Sequence, residues 1–173
     1  MRYFPIAACV LGIASSANAA DPAPQTYAVR TASDLVKMNR CDLEALYRGA
    51  SVGCPPSGKF RGRVIINPGS RITGPASQFT RVIWQGKIIN EETMVNRVFG
   101  VRAVPARVYI GQSYLDGQPS VVMDYAGSSR LFSAYRDEIR EVSPGLYLGM
   151  VHKRTDAGAE LKAFFALEPR GRR

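Results

Sequence analysis

Short runs of β-branched and aromatic residues recur along the chain and predict eight β-strands. They alternate with segments rich in Gly, Pro, Asn and Asp, which favour turns. The expected strands are 60–66, 79–89, 93–99, 107–110, 120–125, 137–142, 146–153 and 163–167. Asp116-Gly117 lies between the fourth and fifth strands and is typical of a tight hairpin turn. These two strands are therefore expected to pair antiparallel.

One stretch near the start has a helical pattern instead. Its apolar residues recur at intervals of about three or four, and the expected helix extends over 31–49. Thr31 or Ser33 can cap its beginning, and Gly49 ends it. Within the strands, Gly86 indicates a bulge or bend, and 100–105 is expected to interrupt pairing before the strand that begins at Arg107.

Eight strands at this even spacing favour a mostly β fold. An open sheet of eight strands would leave two unpaired edges, whereas closure removes them. We therefore expect an antiparallel up-and-down barrel of about eight strands with one N-terminal helix. A β-sandwich is the alternative. The chain would comprise a signal peptide (1–19), an extended lead-in (20–30), a single barrel domain (31–168) and a basic tail (169–173).

The first residues resemble a secretory signal peptide. A positively charged start precedes the apolar run 4–13, and the small residues Ala17-Asn-Ala19 favour cleavage after Ala19. A periplasmic or secreted protein is therefore expected. Because such compartments are oxidising, Cys41 and Cys54 are expected to form a disulfide, with two unpaired thiols as the alternative.

The net charge of the full chain is +9, which favours anionic partners such as an envelope surface. Nucleic acid is not expected of an exported protein, and neither is a membrane-spanning segment. His152 is the only histidine in the sequence, so no metal site is expected. The sequence carries no phosphate-binding, dinucleotide-binding or nucleophile-elbow motif, and no cofactor is predicted.

Two short stretches resemble the lipocalin-like (calycin) β-barrel family. The first combines 137–149 with 164–167 and is similar to the closing strands of those barrels. The second is Trp84-Gln-Gly-Lys87, similar to a Trp-x-Gly-Lys pattern in some of these families. In a typical lipocalin the tryptophan lies on the first strand, whereas Trp84 lies on the second predicted strand. The resemblance implies the barrel fold and assigns no residue a role.

Aromatic residues on successive predicted strands form the candidate ligand site, either as a cavity lining or as plain core: Trp84, Tyr109, Tyr125, Tyr147 and Phe164. Arg140 is the candidate polar anchor. It shares a strand face with Glu138, opposite Asp137 and Ile139. An inward-facing guanidinium would bind an anionic group of a ligand. A surface ladder of ion pairs is the alternative.

The leading functional hypothesis is an exported lipocalin-like protein that binds a small apolar or amphipathic ligand, anionic at one end. The second is an enzyme on the same barrel, such as an isomerase, cyclase or lyase. It would use an acid or base in the cavity, with Asp124, Glu138 and Tyr147 as candidates. The third is an envelope-interaction protein with a solid barrel and a basic surface. The sequence leaves all three open.

Overall fold

A computed structural model describes residues 28–171 of the chain. Within that range, eight antiparallel strands form a closed barrel in which each strand pairs with the next and the last pairs with the first. This confirms the predicted up-and-down barrel. The predicted signal peptide, most of the lead-in and the last two residues of the basic tail lie outside the described residues.

The strands are β1 Gly58–Ile65, β2 Trp84–Ile89, β3 Thr93–Val98, β4 Val101–Gln112, β5 Pro119–Asp124, β6 Tyr135–Ser143, β7 Leu146–Thr155 and β8 Gly158–Pro169. The helices of the described range are α1 Ala32–Lys37, α2 Arg40–Arg48 and α3 Thr73–Ile83. None of these three helices is long and apolar enough to cross a membrane.

The single helix predicted near the start is wrong, because the segment contains two helices. Thr31 caps α1 through a capping box with Asp34. Met38 then turns to an extended conformation, and the side chain of Asn39 accepts a hydrogen bond from the backbone N–H of Asp42. A capping asparagine in the middle of the apolar pattern therefore starts a second helix.

The second predicted strand began too early, because its first residues belong to α3. Strand β2 starts at Trp84, and α3 is anchored at its beginning by Thr73, whose Oγ1 donates a 2.6 Å hydrogen bond to the carbonyl of Asn67. The predicted bulge at Gly86 is confirmed, since the β2–β3 register shifts there. The φ of Gly86 is 120°, and a Cβ there would lie 2.1 Å from the carbonyl oxygen of Phe60.

The interruption predicted at 100–105 is also wrong, because β4 begins at Val101 and pairs with β3 through this stretch. The irregularity is a register shift beside Asn96, and Val104 takes a positive φ of 52°. The chain bends there and stays in the sheet. The Asp116-Gly117 turn joins β4 to β5 as predicted, with Gly117 at a φ of 70°.

Two apolar clusters lie on opposite sides of the barrel wall. The inner cluster fills part of the barrel and includes Phe60, Ile89, Met94, Val108, Val121, Met123, Ile139, Phe165 and Leu167. The outer cluster lies between the wall and the first two helices and includes Leu35, Leu43, Tyr47, Ile65, Leu148, Met150 and Phe164. The helices therefore cover one side of the barrel from outside and do not enter it.

The predicted disulfide is wrong, since Cys41 and Cys54 are free and exposed. On α2 the buried residues are Leu43 and Tyr47. Cys41 precedes Leu43 by two positions, or about 200° around the helix, and so faces solvent. Cys54 lies in the connection between α2 and β1, where its side chain is likewise turned to solvent.

Candidate functional site

A cavity of about 310 Å³ occupies one end of the barrel interior. Because all neighbouring strands are antiparallel, β1, β3, β5 and β7 end there, and the other four strands begin there. The cavity residues Val64, Trp84, Val98 and Tyr135 lie at or next to these strand ends. We call this the open end. Toward the opposite end, the inner cluster fills the barrel with side chains.

The lining of the cavity has an apolar part and a polar part. The apolar part includes Val64, Val98, Val104, Phe132, Val151 and Phe165. The polar part is a group of hydrogen-bonded side chains that we call the interior network: Trp84, Lys87, Asn96, Tyr125 and Asp137. Apolar walls with a few polar groups at one place are typical of a small-molecule site.

Lys87 is the centre of the interior network. Its Nζ donates hydrogen bonds to Asp137 Oδ2 at 2.7 Å, to the Tyr125 hydroxyl at 2.9 Å and to Asn96 Oδ1 at 2.9 Å. Its side chain is buried, as is that of Asp137. The three bonds use all three donors of the ammonium group, and the ion pair places one charge of each sign inside the barrel.

The remaining members of the network bind each other. The Tyr125 hydroxyl donates to Asp137 Oδ2 at 2.8 Å, and Asn96 Nδ2 donates to the Tyr125 hydroxyl at 3.1 Å. Asn96 Nδ2 also donates to the carbonyl of Val104, and Trp84 Nε1 donates to Asn96 Oδ1 at 2.9 Å. Because each buried polar group is paired, the network can remain in an apolar interior.

Burial changes the proton affinity of two groups in the network. It lowers the pKa of Lys87, and the nearby Asp137 opposes that effect. It raises the pKa of Tyr125 well above its ordinary value, and Asp137 adds to the rise. The Lys87 ammonium also lies 5.3 to 5.6 Å from the ring centres of Phe165, Trp84 and Tyr125, a distance at which aromatic faces attract a cation.

Lys87, Asn96 and Asp137 are not among the site residues predicted from the sequence. Lys87 and Asp137 each lie on the same inward strand face as a buried apolar residue. Lys87 is two residues before Ile89, and Asp137 is two residues before Ile139. The alternation of inward and outward side chains along a strand therefore predicts these positions. A polar residue two positions from an inward apolar residue also points inward.

The structure places two of the predicted aromatic residues, Trp84 and Tyr125, at the cavity. Tyr109 is half-exposed on the outer wall, where its hydroxyl donates to Asp124 at 3.0 Å. Tyr147 packs edge-on against Phe60, with ring centres 5.7 Å apart. Phe164 belongs to the outer cluster beneath the helices. These last three do not line the cavity.

Arg140 does not face the barrel interior, so the predicted inward orientation is wrong. It binds Asp116 through two hydrogen bonds of 2.7 Å and donates to the carbonyl of Tyr47 at 3.0 Å. The predicted alternation along β6 is correct, but Asp137 and Ile139 form its inner face. The outer face is covered by α2 and the β4–β5 connection. Both faces are therefore buried, and neither is purely apolar in sequence.

The candidate acids and bases from the sequence also lie away from the cavity. On the outer face, Glu138 accepts hydrogen bonds from Ser113 Oγ at 2.6 Å and from the Tyr114 backbone at 3.0 Å. His152 lies 3.9 Å from Glu138, and burial lowers the pKa of that histidine. Asp124 pairs with Arg154 at 2.6 Å. These contacts hold the connection between β4 and β5, and the β6–β7 pair, in place.

No protein-family model matches the chain, and no curated protein matches it. One solved structure that it resembles is that of a protein from Thermomonospora curvata, with a TM-score of 0.52 and 16% sequence identity. The match covers 78% of this chain and 90% of the other. At this identity the comparison supports the fold and carries no information about function.

Proposed function

We propose that the chain is a binding protein for a small, mainly apolar ligand with one polar group. The observation that supports this best is the cavity itself, whose mainly apolar lining includes one hydrogen-bonded polar group. Its volume of about 310 Å³ is at the lower end of the range for ligand sites. The cavity also favours a binding or catalytic role over an envelope-interaction protein with a solid barrel.

The charges in the cavity favour a neutral polar group on the ligand. The charges of Lys87 and Asp137 neutralise each other, and all three N–H donors of Lys87 already form hydrogen bonds within the protein. Both hydrogen bonds to Asp137 within the network reach Oδ2. Its other oxygen, Oδ1, therefore suits a ligand hydroxyl or amide that donates a proton. A carboxylate on the ligand would meet Asp137 without a free cation, so we do not retain the anionic end expected from the sequence.

Trp84 provides a direct test, because it is the only tryptophan in the sequence and it lines the cavity. We expect 1-octanol to change its fluorescence in a saturable way and to bind more tightly than octanoate. Native mass spectrometry of the protein as purified from cells would detect a retained ligand. Tighter binding of octanoate would restore the anionic ligand, and no saturable response to either compound would contradict the proposal.

A matched pair of variants locates the site. Val151→Phe places a ring in the cavity wall, whereas Val95→Phe makes the same change on β3, at a position that does not line this cavity. We expect Val151→Phe to weaken octanol binding by about tenfold or more, because the cavity is small, and Val95→Phe to leave it unchanged. Equal effects would mean that the ligand binds elsewhere.

An enzyme is the second candidate, and the burial of Lys87 is the observation that favours it. A lysine with a lowered pKa is suited to attack a carbonyl compound or to act as a base. Incubation with octanal and cyanoborohydride tests this, since an imine formed with loss of water is reduced to a stable amine. A mass adduct that disappears in Lys87→Met would favour an enzyme. Without an adduct, the binding role is favoured.

We also retain export to the periplasm or beyond as a proposal. It depends on the charged and apolar pattern of the first 19 residues, which lie outside the described range. An exported binding protein would meet its ligand in the envelope or the medium.

A further inference from the structure

Helix α3 has its polar and apolar faces reversed with respect to the barrel. The residues that it buries are Thr73 and Ser77. On its outer face, Phe79 is 71% exposed and Val82 is 66% exposed. A helix on the surface of a soluble domain normally turns its apolar face to the core. The outer face of α3 is therefore an apolar helix face that no described residue covers.

The same end of the barrel carries most of the other exposed apolar side chains. Of the eleven large apolar residues that are exposed in the described range, eight lie in or beside the connections at the open end. Those outside α3 include Phe99 and Val101 in the β3–β4 turn, and Leu131 between β5 and β6. We call these side chains, together with the outer face of α3, the apolar rim. Clustering of this kind marks an interaction surface.

The charge around the apolar rim is mainly positive. The stretches 66–83, 97–102 and 125–134 contain five arginines and no Asp or Glu: Arg71, Arg81, Arg97, Arg102 and Arg130. Asp156 lies in the fourth connection at this end, between β7 and β8. The opposite end has acidic residues in its connections, such as Glu91 and Glu92. The surface beside the rim is therefore complementary to a layer of negative charge.

A basic cleft extends this charge along the outer wall. It has a volume of about 390 Å³ and includes Arg61, Arg63, Arg81, Arg97 and Arg170, with Glu168 as its one carboxylate. Glu168 already accepts a hydrogen bond from the backbone of Ala32. Arg63 Nε is buried and donates no hydrogen bond to the described residues. A cleft of this composition suits phosphate groups.

We propose that the open end docks on an anionic phospholipid surface. The apolar rim enters the boundary between headgroups and acyl chains, while the neighbouring arginines contact the phosphates. Apolar side chains next to arginines are the combination that binds a membrane surface without spanning it. Docking would place the mouth of the cavity against the lipid, where an apolar ligand can enter without crossing water. The docking surface does not depend on the identity of that ligand.

Co-sedimentation with vesicles tests the proposal, using the protein in the form that cells produce. We expect binding to vesicles of phosphatidylcholine that contain phosphatidylglycerol, and much weaker binding to phosphatidylcholine alone. Added salt should weaken binding to the anionic vesicles, because it screens the arginines. Binding that does not depend on lipid charge or on salt concentration would overturn the proposal. No binding to either kind of vesicle would also overturn it.

Two pairs of variants locate the docking surface. Phe79→Gln removes an exposed ring from the apolar rim, and Tyr109→Gln removes one from the outer wall. Arg81→Gln removes a charge from α3, and Arg107→Gln removes an exposed charge from β4. We expect the open-end variants to weaken partition by about five- to tenfold and the wall variants to have little effect. Unchanged thermal unfolding would show that all four remain folded.

The same variants identify other occupants of the surface. Equal losses in the open-end and wall variants would overturn the proposal in favour of non-specific attraction. Sedimentation velocity of the protein without lipid tests for self-association. If the protein forms a dimer that Phe79→Gln dissociates, and does not bind vesicles, the apolar rim belongs to a contact between two copies, and the lipid surface is rejected. The octanol titration is a separate measurement, so failure of either proposal leaves the other standing.

Discussion

Gly149 on β7 lies opposite Phe165 on β8, and the ring of Phe165 covers the glycine inside the barrel. A Cβ at position 149 would lie 2.2 Å from Cζ of that ring. Phe165 also lines the cavity and faces the Lys87 ammonium. The absence of a side chain on β7 therefore sets the position of one cavity wall.

We expect Gly149→Ala to destabilise the protein by about 1–3 kcal/mol, because the buried ring has to move in a packed interior. Urea unfolding measures the change. Gly74→Ala is the matched control, since Gly74 lies in α3 with open space at its Cβ position. The control should be neutral or slightly stabilising, because alanine favours a helix. Similar midpoints for Gly149→Ala and the wild type would mean that Phe165 can move without cost.

A double-mutant cycle measures the ion pair in the interior network. Lys87→Met leaves Asp137 buried without its cation, and Asp137→Asn leaves the ammonium without its anion. Each single change should cost about 3–5 kcal/mol in the free energy of unfolding, whereas the double variant should cost far less than the sum.

The exposed pair of Lys162 and Glu160 provides the control cycle, and its variants Lys162→Met and Glu160→Gln should show little coupling. Additive effects at Lys87 and Asp137 would mean that the two charges do not depend on each other.

Asp116 and Arg140 should contribute to stability in a pH-dependent way. The hydrogen bonds from Arg140 lower the pKa of Asp116 below its ordinary value of 3.8. Because the folded-state pKa is the lower one, the contribution is present in full above about pH 5 and is lost as the pH falls through the folded-state pKa. Urea unfolding at about pH 7 and about pH 3 measures it.

In Asp116→Asn we expect lower stability at neutral pH and a smaller further loss in acid. Asp156→Asn changes an exposed turn carboxylate and should retain the wild-type pH dependence. If Asp116→Asn and the wild type lose stability in parallel on acidification, the ion pair does not act through Asp116.

Intact mass should report both the processing of the chain and the state of its thiols. We expect the protein isolated from cells to begin near Ala20, so its mass should lack the first residues. Because Cys41 and Cys54 are free and exposed, iodoacetamide should add two groups without prior reduction. A protein two hydrogens lighter that does not react would indicate a disulfide, and an uncleaved start would contradict export through this signal.

The barrel could be predicted from sequence because each strand is a separate local pattern. The run from Phe79 to Trp84 is predicted to be strand, and it differs from the structure for a physical reason. Phe79, Val82 and Ile83 have helical spacing, but they face solvent, and the residues that α3 buries are Thr73 and Ser77. If buried positions are assumed to be apolar, residues 79–83 are predicted to be a strand and not the end of a helix.

The candidate site was predicted only in part, because its aromatic members are common in strands and its charged members normally lie on surfaces. The sequence predicts Trp84 and Tyr125 as site residues but not Lys87 and Asp137. These two are 50 positions apart in sequence, and only closure of the barrel brings them together. Arg140 was named for its charge, but its partner Asp116 lies in a turn whose residues were already explained by turn geometry.

Closure of the barrel has a consequence for how the chain acquires its structure during synthesis. Strand β1 completes its pairing with β8, and Phe60 lies opposite Pro169 in that register. Strand β8 is the last of the eight strands in chain order, so it leaves the ribosome after the other seven. Until then β1 has an unpaired edge, and contacts so distant in sequence form slowly. A chain whose barrel is still open can therefore misassociate through β1, and a factor that shields this segment should improve the yield of folded protein.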